Sequence, residues 1–468
     1  MMDRIKKAIN SVKEARKIAE KCPCRPIYHF HAPSNWMNDP NGPIFYKNEY
    51  HIFYQHNPYD IKWGNIHWGH AKSGDLVNWK HLPIAIIPSV EKGEEHCFSG
   101  DCVINDGIPS IIYTSIGPKK PHKTAAEQWL AISKDDMTTW EKYENNPIMT
   151  LDLHGDLEIR DWRDPYLWRE GNIWYAVLGG HVIKPKRGVV LLYKSENLID
   201  WEFINPLIIG EKGTGRNWEC PNFFRLDNKY TLIVSPHDKV IYNIGDYKNY
   251  KFFPSKWKIL DHGLCFYAPN TMIDDNNRVI IWGWIRGGGT GWDGCLTLPR
   301  ILELENENTL KIYPAPELEK LRLKKISVDQ FDYNDLNNNI LEDLNGLCLE
   351  IICKFESYSE SDSFGLKIID KVDNNKNFDI KFQNKIQKMV VGGEEGFINL
   401  KNENDEFLLH LFIDKSVIEA YVNYNETITS RYYPKTIDDI KIEFFSDKKL
   451  ARLKSIEVWK LDKITYKF

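Results

Sequence analysis

The sequence lacks a long apolar run, a marked excess of one charge, and any pair of cysteines spaced for a zinc site. None of its 468 residues falls in a stretch apolar enough to span a bilayer. With 61 basic and 66 acidic side chains the net charge is −5, which carries no footprint for DNA or RNA. The basic clusters Lys119–Lys123 and Lys184–Arg187 are short and read as solvated loops. The nine cysteines are odd in number and irregularly spaced. Cys22-Pro-Cys24 is not a C-x-x-C pair, no second pair completes a metal site, and reduced thiols in a cytoplasm are the simplest reading. His29 and His31, and His67 and His70, lack a third ligand and read as hydrogen-bonding core or rim residues. Gly287-Gly288-Gly289 is not followed by Lys-Ser/Thr, so it is no phosphate loop; a flexible loop at the mouth of a site is expected instead. The first residues are charged throughout and lack the apolar centre of a signal peptide. Ile5, Ile9, Val12 and Ile18 predict an amphipathic helix over residues 1–24 that packs on the domain behind it.

Aromatic residues are abundant, at 13% with 16 Trp. Such side chains fill β cores, and they also stack on sugar rings while their polar edges hydrogen-bond. Many sit in a repeat. Trp79, Trp140 and Trp201 are each 61 residues apart, each after a turn and before a short strand ending near Pro-Ile or Pro-Leu, with a fainter copy near Phe252. A second repeat interleaves with it. Five segments share a polar cluster, a strand, a tight turn and a second apolar strand. Their turns are Lys47-Asn48, Asn105-Asp106-Gly107, Glu170-Gly171, Asp227-Asn228 and Asp275-Asn276.

Five copies of about four strands predict a five-bladed β-propeller over residues 25–319. From residue 320 to 468 the pattern changes to alternating strands with Asn/Asp turns, which predicts an antiparallel β-sandwich. The fold class is therefore all-β, with one short N-terminal helix. Ile326–Asn345 reads as a linker or irregular first strand, and Asp373–Asn377 as a hairpin tip.

In a propeller the innermost strand of each blade lines one axis, so equivalent positions converge. Asp39, Asp101, Asp164 and Glu219 are placed at that equivalent point. Four carboxyl groups in one funnel repel each other, so a purely structural role is costly and a catalytic or cation-binding site is the natural explanation. Cleavage of a glycosidic bond needs two carboxyl groups flanking it, one to protonate the leaving oxygen and one to attack or activate water.

The motifs resemble one family closely. Asn35-Trp36-Met37-Asn38-Asp39-Pro40-Asn41-Gly42 is similar to the signature of glycoside hydrolase family 32, the invertases, fructanases and sucrose-6-phosphate hydrolases. The likeness continues through His51–Pro58, Trp63-Gly64-Asn65, Phe98-Ser99-Gly100, Arg163-Asp164-Pro165, Trp218-Glu219-Cys220-Pro221 and Trp282-Gly283-Trp284, and covers nearly all the chain after about residue 25.

The resemblance implies a retaining β-fructofuranosidase that needs no metal or organic cofactor and takes a small carbohydrate as substrate. It implies Asp39 as nucleophile, Glu219 as acid/base with its pKa raised by a partly desolvated setting, and Asp164 as an ionised transition-state stabiliser. Asn38, Gln55, Trp63, Phe98 and Ser99 match residues that line the fructose subsite. Arg163 offers a charge-assisted donor, and Trp36, Asp101, Tyr267, Asn270 and Trp282 complete the expected sugar-binding set. The chain departs from the family's usual residues at Asp101, Cys265 and Asn270. The expectation is that these read the second sugar, with Asp101 disfavouring a phosphate there. Transfer of fructose to another sugar would use the same residues. A five-bladed inverting arabinosidase or xylosidase shares the three-acid layout but not the Trp36–Gly42 signature, and a silent sugar-binding protein is disfavoured because all three acids are present. Whether the sandwich joins two copies of the chain or braces the propeller is left open.

Overall fold

The computed structural model describes residues 2–331, 346–356, 363–373, 377–398, 407–434, 440–447 and 452–467. Most of the Ile326–Asn345 run and the centre of Asp373–Asn377 lie outside these. The five expected blades are present. Their innermost strands are Asn35–Tyr46, His96–Asn105, Ile159–Glu170, Glu219–Leu226 and Phe266–Ile273. Each innermost strand touches the next, and the fifth touches the first, so the ring closes. Closure is reinforced where Trp292–Leu296 pairs in parallel with the first strand, Asn35 opposite Trp292 and Trp36 opposite Asp293.

Local chemistry explains the hairpins. Lys47 and Asn48 both take positive φ (50° and 61°), as do Asp106 and Gly107 (49° and 84°), the twist that two-residue hairpin turns require. The aromatic repeat is core: Trp79, Trp140 and Trp201 are all buried.

One irregularity recurs in every blade. The pairing of the innermost strand shifts register at Met37–Pro40, Cys97–Gly100, Arg163–Tyr166, Glu219–Asn222 and Tyr267–Asn270. Four of these bulges contain a proline: Pro40, Pro165, Pro221 and Pro269. Proline has no N–H to give the ladder, so it is tolerated where pairing is already broken. Bulges re-aim side chains, and here they do so at the same height around the axis.

The sandwich has a six-stranded and a five-stranded sheet around one continuous core. It braces the propeller through a fully buried ionic network. His29 binds Asp414 Oδ2 and Glu419 Oε1, both at 2.9 Å, and Arg300 pairs with Glu419 and Asp261 at 2.7 and 2.8 Å. The last strand, Tyr466–Lys467, leaves the sandwich and pairs in parallel with Trp79–Lys80 at the outer edge of the first blade.

The N-terminal helix, Met2–Ala19, packs Ile5, Ala8 and Ile9 on Ile84 and Ile87. Ile18 does not join them and is 56% exposed. At about 100° per residue it lies on the opposite side of the helix from Ile5. Gly287–Gly289 also differs from expectation: it ends a paired strand, Val279–Gly289, and its glycines admit close neighbours. A Cβ at Gly288 would lie 2.3 Å from the Trp292 carbonyl oxygen. No helix among the described residues is long and apolar enough to cross a membrane.

Candidate active site

The bulges gather Asp39, Asp164 and Glu219 at one mouth of the central channel. Cys220 lies between them, its Sγ 3.6 Å from Asp39 Oδ2 and 3.5 Å from Asp164 Oδ2. The Cys220 amide donates to Asp164 Oδ2 at 3.0 Å. Asp164 and Cys220 hold positive φ of 60° and 46°, a backbone conformation that costs free energy and here serves to aim side chains inward.

Asp39 is buried and tightly held. Ser99 donates its hydroxyl to Oδ2 at 2.5 Å, Gln55 donates to the same oxygen at 3.3 Å, and Asn38 donates to Oδ1 at 3.0 Å. Asn38 also donates to Gln55 at 2.8 Å and accepts from the Trp36 indole at 2.7 Å. Desolvation raises the Asp39 pKa, and the donors from Ser99 and Asn38 oppose that rise. This orients a single carboxylate with one face left for a substrate.

Glu219 and Asp164 reverse the expected order of acidities. Burial would raise Glu219, but Arg163, His237 and the Tyr267 hydroxyl outweigh it and pull the pKa down to about 2. Arg163 donates to Glu219 Oε1, His237 Nε2 lies 2.7 Å from that oxygen, and Tyr267 donates to Oε2 at 2.8 Å. Asp164 is pushed up to about 7, chiefly by burial, with Asp39 and Glu219 adding repulsion against Arg163. By these directions Asp164 holds a proton more readily than Glu219 does.

An aromatic wall stands at the rim. Trp63 is 50% exposed and packs on His96 at 4.8 Å and edge-on to Phe98 at 6.1 Å. His122 lies against Phe98 at 6.3 Å. Flat aromatic faces of this kind can stack on the apolar face of a sugar ring.

Three expected sugar contacts are elsewhere. Trp282 is 1% exposed in the second strand of the fifth blade and belongs to the core. Asp101 bonds only to backbone, accepting from Leu167 and Cys102 at 2.8 Å each. It lies two residues beyond Ser99, and at about 3.3 Å per residue that displacement carries it down the channel. There it lines a cavity of about 540 Å³ at the opposite mouth, with Val103, Leu167 and Thr271. Ser99, not Asp101, therefore occupies the position equivalent to the carboxylates. Asn270 spans the channel, donating to the Gly100 carbonyl at 3.4 Å. Cys265 faces the sandwich, its thiol 3.2 Å from the Thr429 carbonyl. Asp101 and Cys265 thus bond to backbone groups away from the three carboxylates.

His237 was not found by sequence reasoning. Its signal is the hairpin register: Glu219 pairs with Ser235, so the loop after Ser235 must return to the same mouth. Arg286, stacked 4.2 Å from the Tyr267 ring centre, was missed for the same reason. Among the described residues no group of three or more His, Cys, Asp or Glu could hold a metal ion.

A five-bladed propeller with three convergent carboxylates beside an aromatic wall defines a carbohydrate-cleaving enzyme. The sequence model for the glycosyl hydrolases family 32 N-terminal domain matches residues 29–316, and that for the family 32 C-terminal domain matches 317–460. The chain belongs to glycoside hydrolase family 32. It is 30% identical to a sucrose-6-phosphate hydrolase of Escherichia coli, over 93% of this chain and 94% of that one. It is 31% identical to a raffinose invertase of Escherichia coli, over 88% and 90%. Among solved structures, a Bombyx mori β-fructofuranosidase in complex with sucrose superposes with a TM-score of 0.83 at 27% identity, covering 98% of each chain. A fructan 1-exohydrolase of Cichorium intybus in complex with 1-kestose gives 0.83 at 26% identity, covering 95% and 99%.

Proposed function

We propose that this enzyme releases fructose from β-fructofuranosides through a covalent fructosyl-enzyme intermediate. The observation that carries the reading is the convergence of Asp39, Asp164 and Glu219 around Cys220 at a single channel mouth. Asp39 attacks the anomeric carbon while Glu219 gives a proton to the departing oxygen. Water then attacks the same carbon, returns a proton to Glu219 and frees the Asp39 carboxylate. Asp164 binds fructose hydroxyls and steadies the oxocarbenium-like transition state. Sugar hydroxyls that accept from Arg163 weaken its hold on Glu219 and let that carboxylate take up the proton it must deliver.

The relatives named for sucrose-6-phosphate, raffinose and 1-kestose cleavage or binding make sucrose, its phosphate and short fructans the substrates to test. Nine cysteines outside any disulfide support a reducing compartment, in keeping with a cytoplasmic site of action. Assembly of two copies through the sandwich is a separate proposal, checked by light scattering. The decisive assay measures fructose released from sucrose, sucrose-6-phosphate, inulin and levan, with Asp39→Ala as control. Release lost in the variant supports the reading; no release from any of the four overturns it. Fructosyl oligomers accumulating at high sucrose would instead identify a transferase.

A further inference from the structure

Cys22 and Cys24 follow the N-terminal helix and play no part in the proposed sugar chemistry. Their sulfurs are 3.2 Å apart. They share a notch that only a glycine leaves open: a Cβ at Gly289 would lie 2.7 Å from each sulfur and 3.2 Å from the Trp292 indole nitrogen. That indole N–H is buried, makes no hydrogen bond, and borders the same notch.

Cys22 also borders a cavity of about 320 Å³ whose lining includes Arg16, Arg25, Lys415 and Lys463. Glu20 lines it too and pairs with Arg16 at 2.5 Å, so the cavity gives a small oxidant a path bordered by more basic than acidic groups. The two thiols differ in the way a reactive pair requires. Burial opposes ionisation of Cys22, but the Trp292 indole and the Cys24 thiol outweigh it and lower its pKa. Burial and the neighbouring Cys22 push Cys24 up to about 12.

We propose that Cys22-Pro-Cys24 is a redox-active dithiol, with Cys22 attacking a peroxide and Cys24 resolving the product to a disulfide. The Cys22 thiolate takes one peroxide oxygen to become a sulfenic acid, releasing hydroxide. The Cys24 thiol then displaces that oxygen as water, forming the S–S bond. Both electrons lost by the thiols reduce the peroxide. Closing the bond draws the sulfurs from 3.2 Å to about 2.05 Å, a small local movement. The pair sits where the blade ring closes: the Gly291 carbonyl accepts from the Asn35 amide at 2.9 Å, and Asn35 opens the strand that carries Asp39.

The test treats the full-length protein with one equivalent of hydrogen peroxide and maps thiols by mass spectrometry. The expected result is a loss of two mass units confined to the peptide holding Cys22 and Cys24, reversed by dithiothreitol. In Cys24→Ser a dimedone adduct should appear on Cys22, because the resolving thiol is gone. If Cys22 and Cys24 both remain alkylatable while another cysteine oxidises first, the proposal is wrong. It is equally wrong if Cys24→Ser gives no adduct on Cys22 while its circular dichroism matches the wild type.

Discussion

Arg163 donates to Oε1 of Glu219, joining the residue before Asp164 to a carboxylate on the next blade. The pair is almost enclosed, with side chains 11% and 13% exposed. An opposite charge so placed stabilises the ionised carboxylate, and Glu219 is held at about 2 in consequence. A general acid must carry a proton when the leaving oxygen departs, so this contact has to loosen during the cycle.

Arg163→Gln removes that charge and raises the Glu219 pKa. In the free enzyme Glu219 is a stronger acid than Asp39, so the acid limb of kcat/KM follows Glu219. That limb should move to higher pH in the variant, even as overall activity falls. A limb that stays in place would assign it to another group.

Ser99→Ala removes the hydroxyl that donates to Asp39 at 2.5 Å. Burial already raises Asp39 and Ser99 opposes it, so the variant's Asp39 pKa should rise further. Asp39 is the weaker acid of the pair, so it sets the alkaline limb of kcat/KM, and that limb should shift upward in pH. Hydrogen bonds to charged groups are worth about 1.5–3 kcal/mol, so a fall of roughly ten- to hundredfold in kcat/KM is expected.

Glu219→Gln should cost about 10²–10⁴-fold on sucrose, the range of general acid catalysis. A β-fructoside with a nitrophenol leaving group needs no protonation. With that substrate a burst of nitrophenol should survive in the variant. Absence of any burst would argue against Glu219 as the acid.

Trp63 and Trp282 separate binding from folding. Trp63→Ala at the rim should raise KM by up to about tenfold, the value of one aromatic contact, and leave the melting temperature unchanged. Trp282→Ala in the core should lower stability by about 3–5 kcal/mol, read by denaturant titration. The opposite pattern would return Trp282 to the sugar site.

His29 sits between Asp414 and Glu419 at 0% exposure. Burial disfavours its charge, but hydrogen bonds to both carboxylates win and raise its pKa. The raised folded-state value means the stabilisation is fully present below the unfolded value of about 6.5 and is lost as pH climbs through the folded one. Wild type should lose more melting temperature than His29→Asn across that alkaline interval. His29→Ala should cost about 3–5 kcal/mol, since two buried carboxylates lose a partner.

Much of this was legible in the sequence. Hairpin turns such as Lys47-Asn48 and the evenly spaced tryptophans are local signals, because twist and side-chain alternation act over a few residues. The prolines after Asp39, Asp164 and Cys220 lie in the bulges, a local signal left unread at the sequence level. Ile18 was misplaced because helical phase accumulates with distance, and the last turns drift off a face judged from the first.

The sequence by itself determined the blade count, the all-β class and the three carboxylates, since each rests on short-range pattern or a contiguous motif. Only the tertiary structure decided how far along the axis each side chain lies. One bulge shifts every later residue relative to its neighbours in the next blade, which put Ser99 beside Asp39 and sent Asp101 toward the far mouth. Charge balance was decided there too. The acidity of Glu219 depends on Arg163 from the third blade, His237 from a returning loop and Tyr267 from the fifth blade. Electrostatic energy depends on distance in space, and that distance exists only once the ring has closed.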